Sequence, residues 1–202
     1  MFVGNQVFMS YLGDDGVGAF GIACYYIPFV FMVGNAIAQS AQPIISYNYG
    51  AGKPDRVRRA FWLLLRCAMI YAGVLWATTM LFPQLYIGMF TPDQELIAYA
   101  IPAVRIYMAA SLLFGIQLSC QQTFVALGNA KNSLFLAVLR KLILLIPLIY
   151  LLPALLPDKV TAVFLAEPVA DTIAVTVTVL LFRVKFTACM REMEERAASQ
   201  HA

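Results

Sequence analysis

Charge is scarce in this chain, and histidine is almost missing. Charged residues make up 12% of the 202 positions and hydrophobic residues 61%. The one histidine, His201, sits at the very end. The four cysteines, Cys24, Cys67, Cys120 and Cys189, are far apart and form no CxxC. This argues against a His/Cys metal site and leaves the cysteines as small hydrophobes in helices. There is no HExxH, no nucleophile elbow and no nucleophile–base pair, so nothing points to an enzyme and no catalytic residue is expected. Internal repeats and low-complexity segments are also missing. The stretch Gly50-Ala51-Gly52-Lys53 is no nucleotide loop: the phosphate-binding pattern needs Gly where Tyr47 stands and Ser or Thr where Pro54 stands. Met1-Phe2-Val3-Gly4-Asn5 offers no basic n-region of the secretory type.

What is abundant is apolar length. Mean hydropathy is +0.76, too high for an ordinary soluble domain. A spanning helix takes about 20 apolar residues, so the chain holds about five full spans and a partial first one. The fold class expected is all-α, a polytopic helical membrane protein. The first segment, 1–12, is too short to cross. The others run over about 17–47, 60–82, 96–127, 134–152 and 160–182, and the charged tail over 183–202 is expected to be a surface helix. Thr91 or Asp93 is placed to cap the fourth span, and Pro102 and Pro147 fall inside the fourth and fifth.

The breaks between spans alternate in sign. Asp14 and Asp15, then Asp93 and Glu95, then Asp158 with Lys159 mark one side. Lys53, Arg56, Arg58 and Arg59, then Lys131, Arg140 and Lys141, then the basic tail mark the other. The positive-inside rule makes that second side cytoplasmic, and with it the C-terminus. The net charge of +3 is thereby explained by orientation, without nucleic acid as a partner.

Two carboxylates stand inside a span. Glu167 and Asp171, four apart, share a helix face in the sixth. Counting from Val160 puts Asp171 about 16 Å deep, near the midplane. Such a group exchanges a proton, binds a cation or pairs with a base. Arg105, about 15 Å past Glu95, lies at similar depth and is the partner expected. The alternative for Arg105 is to reach a headgroup or a watery cavity. Asn35, Gln39, Gln42 and Ser46 form one polar stripe on the second span, which Pro43 interrupts. Gln117 and Gln121 share a face of the fourth. Such stripes either line a pathway or glue helices together near Gly34, Ala38 and Gly115. The many Phe, Tyr and Met side chains either wall a site for flat cations or simply pack helices and face lipid.

The stretch Gln42-Pro43-Ile44-Ile45-Ser46-Tyr47-Asn48-Tyr49-Gly50-Ala51-Gly52-Lys53, with Gly34 and Gln39 before it, resembles the multidrug and toxic compound extrusion (MATE) family. Gln121 to Lys131 resembles the family's turn after its tenth helix, and Glu167-Pro168-Val169-Ala170-Asp171 the start of its last. The resemblance covers nearly the whole chain. It implies the C-terminal lobe of a twelve-helix, two-lobe antiporter, beginning late in the seventh helix, with residues 183–202 as a cytoplasmic tail. The N-terminal lobe, whose acidic residues serve ion coupling in many bacterial members, would be absent, and this lobe alone would not transport. The implied activity is export of cationic or amphipathic drugs across the cell membrane. The coupling ion is a proton or sodium ion, with no further cofactor. Glu167, Asp171 and Arg105 would supply ion coupling or cavity electrostatics, and Asn35, Gln39, Gln42, Gln117 and Gln121 substrate contact. The expected partners are the lipid bilayer, the substrates and the missing lobe. A lipid-linked oligosaccharide flippase and a non-transporting scaffold subunit are the rival readings.

Overall fold

A computed structural model describes residues 32–89 and 92–200. The first expected segment and the break at Asp14 and Asp15 lie outside them. The described residues are helices joined by short turns, without strands. The helices are α1 (32–50), α2 (Pro54–Leu81), α3 (Pro83–Ile87), α4 (Gln94–Tyr107), α5 (Phe114–Ala126), α6 (Ala130–Val138), α7 (Ile146–Leu155) and α8 (Lys159–Gln200). A 3-10 turn, Ser111–Leu113, leads into α5, and a π segment, Leu139–Leu145, joins α6 to α7. This is an all-α, polytopic membrane protein.

Three described helices are long and apolar enough to span: Pro54–Leu81, Ala130–Leu155 and Thr161–Ser199. The pair Gln94–Tyr107 and Ser111–Ala126, bent by 45°, is long and apolar enough for a fourth when taken together as one broken span. The bend revises the expected unbroken run over 96–127. At the break the Ala109 carbonyl receives the Trp76 indole N–H at 3.2 Å, a replacement the hydrocarbon could not supply. Asp93 does cap α4, its Oδ1 accepting from the Glu95 N–H at 3.0 Å.

Tight turns join the helices where the sequence supplies glycine. Gly52, between α1 and α2, has φ +64°, and Gly128, after α5, has φ +76°. Pro54 opens α2 at a position whose N–H needs no partner. The tail is no separate surface helix: α8 runs unbroken over 42 residues, because nothing between Phe182 and Ser199 breaks a helix. Its Met190 and Met193 are buried against Ala38, Ile45, Val57 and Leu64 of α1 and α2. Arg58 and Glu194 pair beside them at 2.8 Å.

Phenylalanines hold the middle of the bundle. Phe61 stacks on Phe182 at 4.7 Å, Phe182 on Phe186 at 4.9 Å, and Phe124 meets Phe182 edge-on at 5.2 Å. These rings pack helices. The α5 hydroxyls turn inward and satisfy themselves: Ser119 donates to the Gly115 carbonyl and Thr123 to that of Ser119, both at 2.7 Å. Gly115 brings α5 onto α2, and a Cβ there would stand 2.9 Å from the Ala68 carbonyl oxygen. Backbone meets backbone at that point, so neither side can yield. Gly115→Val should destabilise the purified protein by about 1–3 kcal/mol, read as a lower thermal midpoint in detergent, whereas Gly73→Ala, whose Cβ would meet only Leu112 Cδ1 at 3.9 Å, should leave it nearly unchanged.

Candidate functional site

α8 and the α6–α7 helix are consecutive and antiparallel, so neighbouring charges on one meet charges a turn apart on the other. Arg140 and Lys141 lie in the π segment. Asp171 takes the Arg140 guanidinium with both oxygens: Nε donates to Oδ1 at 2.5 Å and Nη2 to Oδ2 at 2.9 Å. Lys141 Nζ donates to Glu167 Oε1 at 3.0 Å, and Arg140 Nη2 stands 3.7 Å from the same oxygen. Arg140, Glu167 and Asp171 are each only 12–15% exposed, whereas Lys141 is 55% exposed. Two positive and two negative side chains therefore close a neutral cluster in mid-span, as their burial demands. The guanidinium also lies over the Phe114 ring, 5.2 Å from its centre.

The cluster opens on a cavity of about 240 Å³. Asn35 enters it from α1, Tyr107 and Met108 from the end of α4, and Ser111 and Phe114 from the break before α5. Ser111 Oγ is buried and has no hydrogen-bond partner among the described residues. The wall thus offers an amide, an unpaired hydroxyl, two aromatic rings and four charges held by one another. A cation entering it can compete for a carboxylate, and a proton on a carboxylate would free a base. The residues suit displacement of an internal ion pair and show no grouped metal ligands among those described.

The residues proposed from sequence divide. Glu167, Asp171 and Asn35 come together at this cavity. Arg105 does not: it is exposed, on the α4 face that also shows Ala98 and Pro102, while Ala100, Ala103, Val104 and Met108 turn inward. The base that pairs with Asp171 is Arg140, so the expected Arg105–Asp171 pair is corrected. Gln117 is buried between α5 and α8, its Oε1 accepting from Thr178 Oγ1 at 2.8 Å. Gln121 Nε2 reaches the Ser133 carbonyl of α6 at 3.5 Å. Both serve helix packing. Gln39 is exposed and Gln42 half-buried, and neither lines this cavity.

Arg140 and Lys141 were grouped with the basic break before the fifth span. Their position held a readable signal. Arg140 is ten residues past Ala130, about 15 Å into the span by the same count that placed Arg105. Arg66 was likewise overlooked, twelve residues into α2 and exposed.

The MatE family profile matches residues 1–151. The multidrug export protein MepA of Staphylococcus aureus strain N315 is 24% identical over 196 residues, covering 94% of this chain and 42% of MepA. An FAD transporter of Shewanella oneidensis is 24% identical over 163 residues, covering 81% of this chain and 36% of that protein. The chain thus spans less than half the length of these relatives. Among solved structures, a multidrug resistance MATE family transporter superposes in its outward-facing conformation with a TM-score of 0.86 at 20% identity, covering 94% of this chain and 42% of that one. A multidrug resistance MATE family transporter in an inward-facing conformation gives 0.85 at 19%, covering 94% and 44%.

The cluster makes unequal demands on its arginines. Arg140→Ala leaves a buried carboxylate without its base and should cost about 3–5 kcal/mol, read by thermal unfolding in detergent. Arg105→Ala, on an exposed face, should stay within about 0.5 kcal/mol of the parent. Equal losses would refute the placement of the pair.

Proposed function

Because the chain belongs to the MatE family, we propose that it forms part of a secondary antiporter that exports cationic or amphipathic small molecules in exchange for protons or sodium ions. The observation that carries this reading is the mid-span cluster of Glu167 and Asp171 with Arg140, opening on a cavity walled by Phe114 and Tyr107. In the transport cycle the carboxylates alternate between Arg140 and an incoming cation or proton. Protonated Asp171 lets go of the guanidinium, and the loss of that cross-tie lets α7 and α8 shift. The remaining length of the relatives supplies the opposing half, and the basic turns and C-terminus face the cytoplasm of the cell membrane.

A second reading concerns the cargo. Arg140 and Lys141 make the cavity charge-neutral, where the sequence set Glu167 and Asp171 against Arg105 alone. A neutral cavity with an aromatic wall also suits a flat molecule bearing negative charge, and one relative is named for FAD transport. A flavin nucleotide that competes with cationic dyes for export would favour it.

The deciding variant is Asp171→Asn in the complete transporter, expressed in cells lacking other drug pumps. Export of a cationic dye should fall by about 10²-fold or more, with membrane level and thermal midpoint recorded alongside. Asp171→Glu, which keeps the titratable group, should retain part of the activity. Full export by the asparagine variant would remove Asp171 from the mechanism.

A further inference from the structure

A second concavity lies on the other side of α1, away from the charge cluster. It is an open groove of about 370 Å³ between α1 and α2. From α1, Ile37, Ala41 and Ile44 line it at helical spacing, and from α2, Ala60, Leu63 and Cys67. Ile44 and Leu63 are more than half exposed, so nothing among the described residues covers the groove. Its chemistry changes along its length. The inner end is apolar, while the end near the α1–α2 turn carries Arg56 and Arg59. Those two residues are three apart on one helix, so their guanidinia project from one face. Neither has an ion-pair partner among the described residues, whereas Arg58 between them is held by Glu194. Of the other polar groups of the lining, the Ser40 hydroxyl donates to the Ile37 carbonyl and the Asn48 Nδ2 to that of Ile44, each at 2.8 Å.

The dimensions match one leaflet of a membrane. Arg56 to Cys67 is eleven residues, about 16 Å, against about 15 Å for half a hydrocarbon core. Arg66 adds a further demand. It is exposed on the same stripe of α2, seven residues past Arg59, at a depth where a lone guanidinium must reach back to an anion. An apolar trough one acyl chain long, with two unpaired guanidinia at its mouth, is complementary to a lipid with a negative headgroup.

We propose that the α1–α2 groove is a binding site for an anionic phospholipid, its phosphate held by Arg56 and Arg59 and one acyl chain lying along Ala41, Ile44, Leu63 and Cys67. The site is separate from the charge cluster, and its occupancy does not depend on what the transporter exports.

The test is native mass spectrometry of the complete transporter released from nanodiscs of mixed phosphatidylglycerol and phosphatidylcholine. The parent protein should retain phosphatidylglycerol in preference to phosphatidylcholine. Arg56→Gln/Arg59→Gln should lower that retention by about thirty-fold, the product of two guanidinium contacts. Arg58→Gln, whose side chain is engaged elsewhere, should retain the lipid like the parent. Ala60→Phe, which fills the trough and leaves both arginines in place, should lose it. Equal retention of the two lipids by the parent, or no retained lipid, would overturn the proposal. So would unchanged phosphatidylglycerol in either the double-arginine or the Ala60→Phe variant.

Discussion

A guanidinium in hydrocarbon must find an anion, and Arg140 is where this chain meets that constraint. Its bidentate hold on Asp171 ties the α6–α7 helix to α8 at mid-depth. Everything around it follows from closing the charge. Lys141, the next residue, runs antiparallel to α8 and so meets Glu167, one turn earlier than Asp171. Phe114 lies under the guanidinium and brings in the start of α5. The π segment carries both bases, which fits the habit of such widened turns to mark functional positions in helices.

The second constraint is the backbone. A membrane tolerates a broken helix only where protein or a cavity takes up the freed groups. The fourth span breaks between Tyr107 and Ser111, and the residues on either side of the break wall the cavity. Trp76 satisfies one freed carbonyl from α2. The break and the charge cluster therefore occur together for a reason: irregular backbone and buried charge both need a place that lipid does not reach. Elsewhere the helices stay regular and join through small residues, as at Gly115, or through stacked phenylalanines.

Much of this was legible in the sequence. Apolar run length and the charged breaks between runs, with Asp93 as a cap, gave most of the helices, because in a bilayer those features leave few alternatives. The i, i+4 spacing of Glu167 and Asp171 gave one half of the site. The other half was misplaced because Arg105 and Arg140 have the same computed depth, and depth says nothing about direction. Helix rotation decides, and it is set by packing: Ala100, Ala103 and Val104 turn α4 so that Arg105 points outward. Gln117 shows the same limit. A polar residue on a shared face reads alike whether it lines a path or, as here, accepts from Thr178 across a helix interface. The bend of the fourth span was hidden as well, since Pro102 precedes it by more than a turn.

If one buried pair organises the site, its two members must be energetically coupled. A double-mutant cycle on the complete transporter measures this, using Arg140→Gln, Asp171→Asn and their combination, with unfolding in detergent as the readout. The pair should show a coupling energy of about 1.5 kcal/mol or more, so that the double variant is more stable than the two single losses would add up to. Losses that add within about 0.3–0.5 kcal/mol would mean that Arg140 and Asp171 act independently, and that the cluster does not hold the site together.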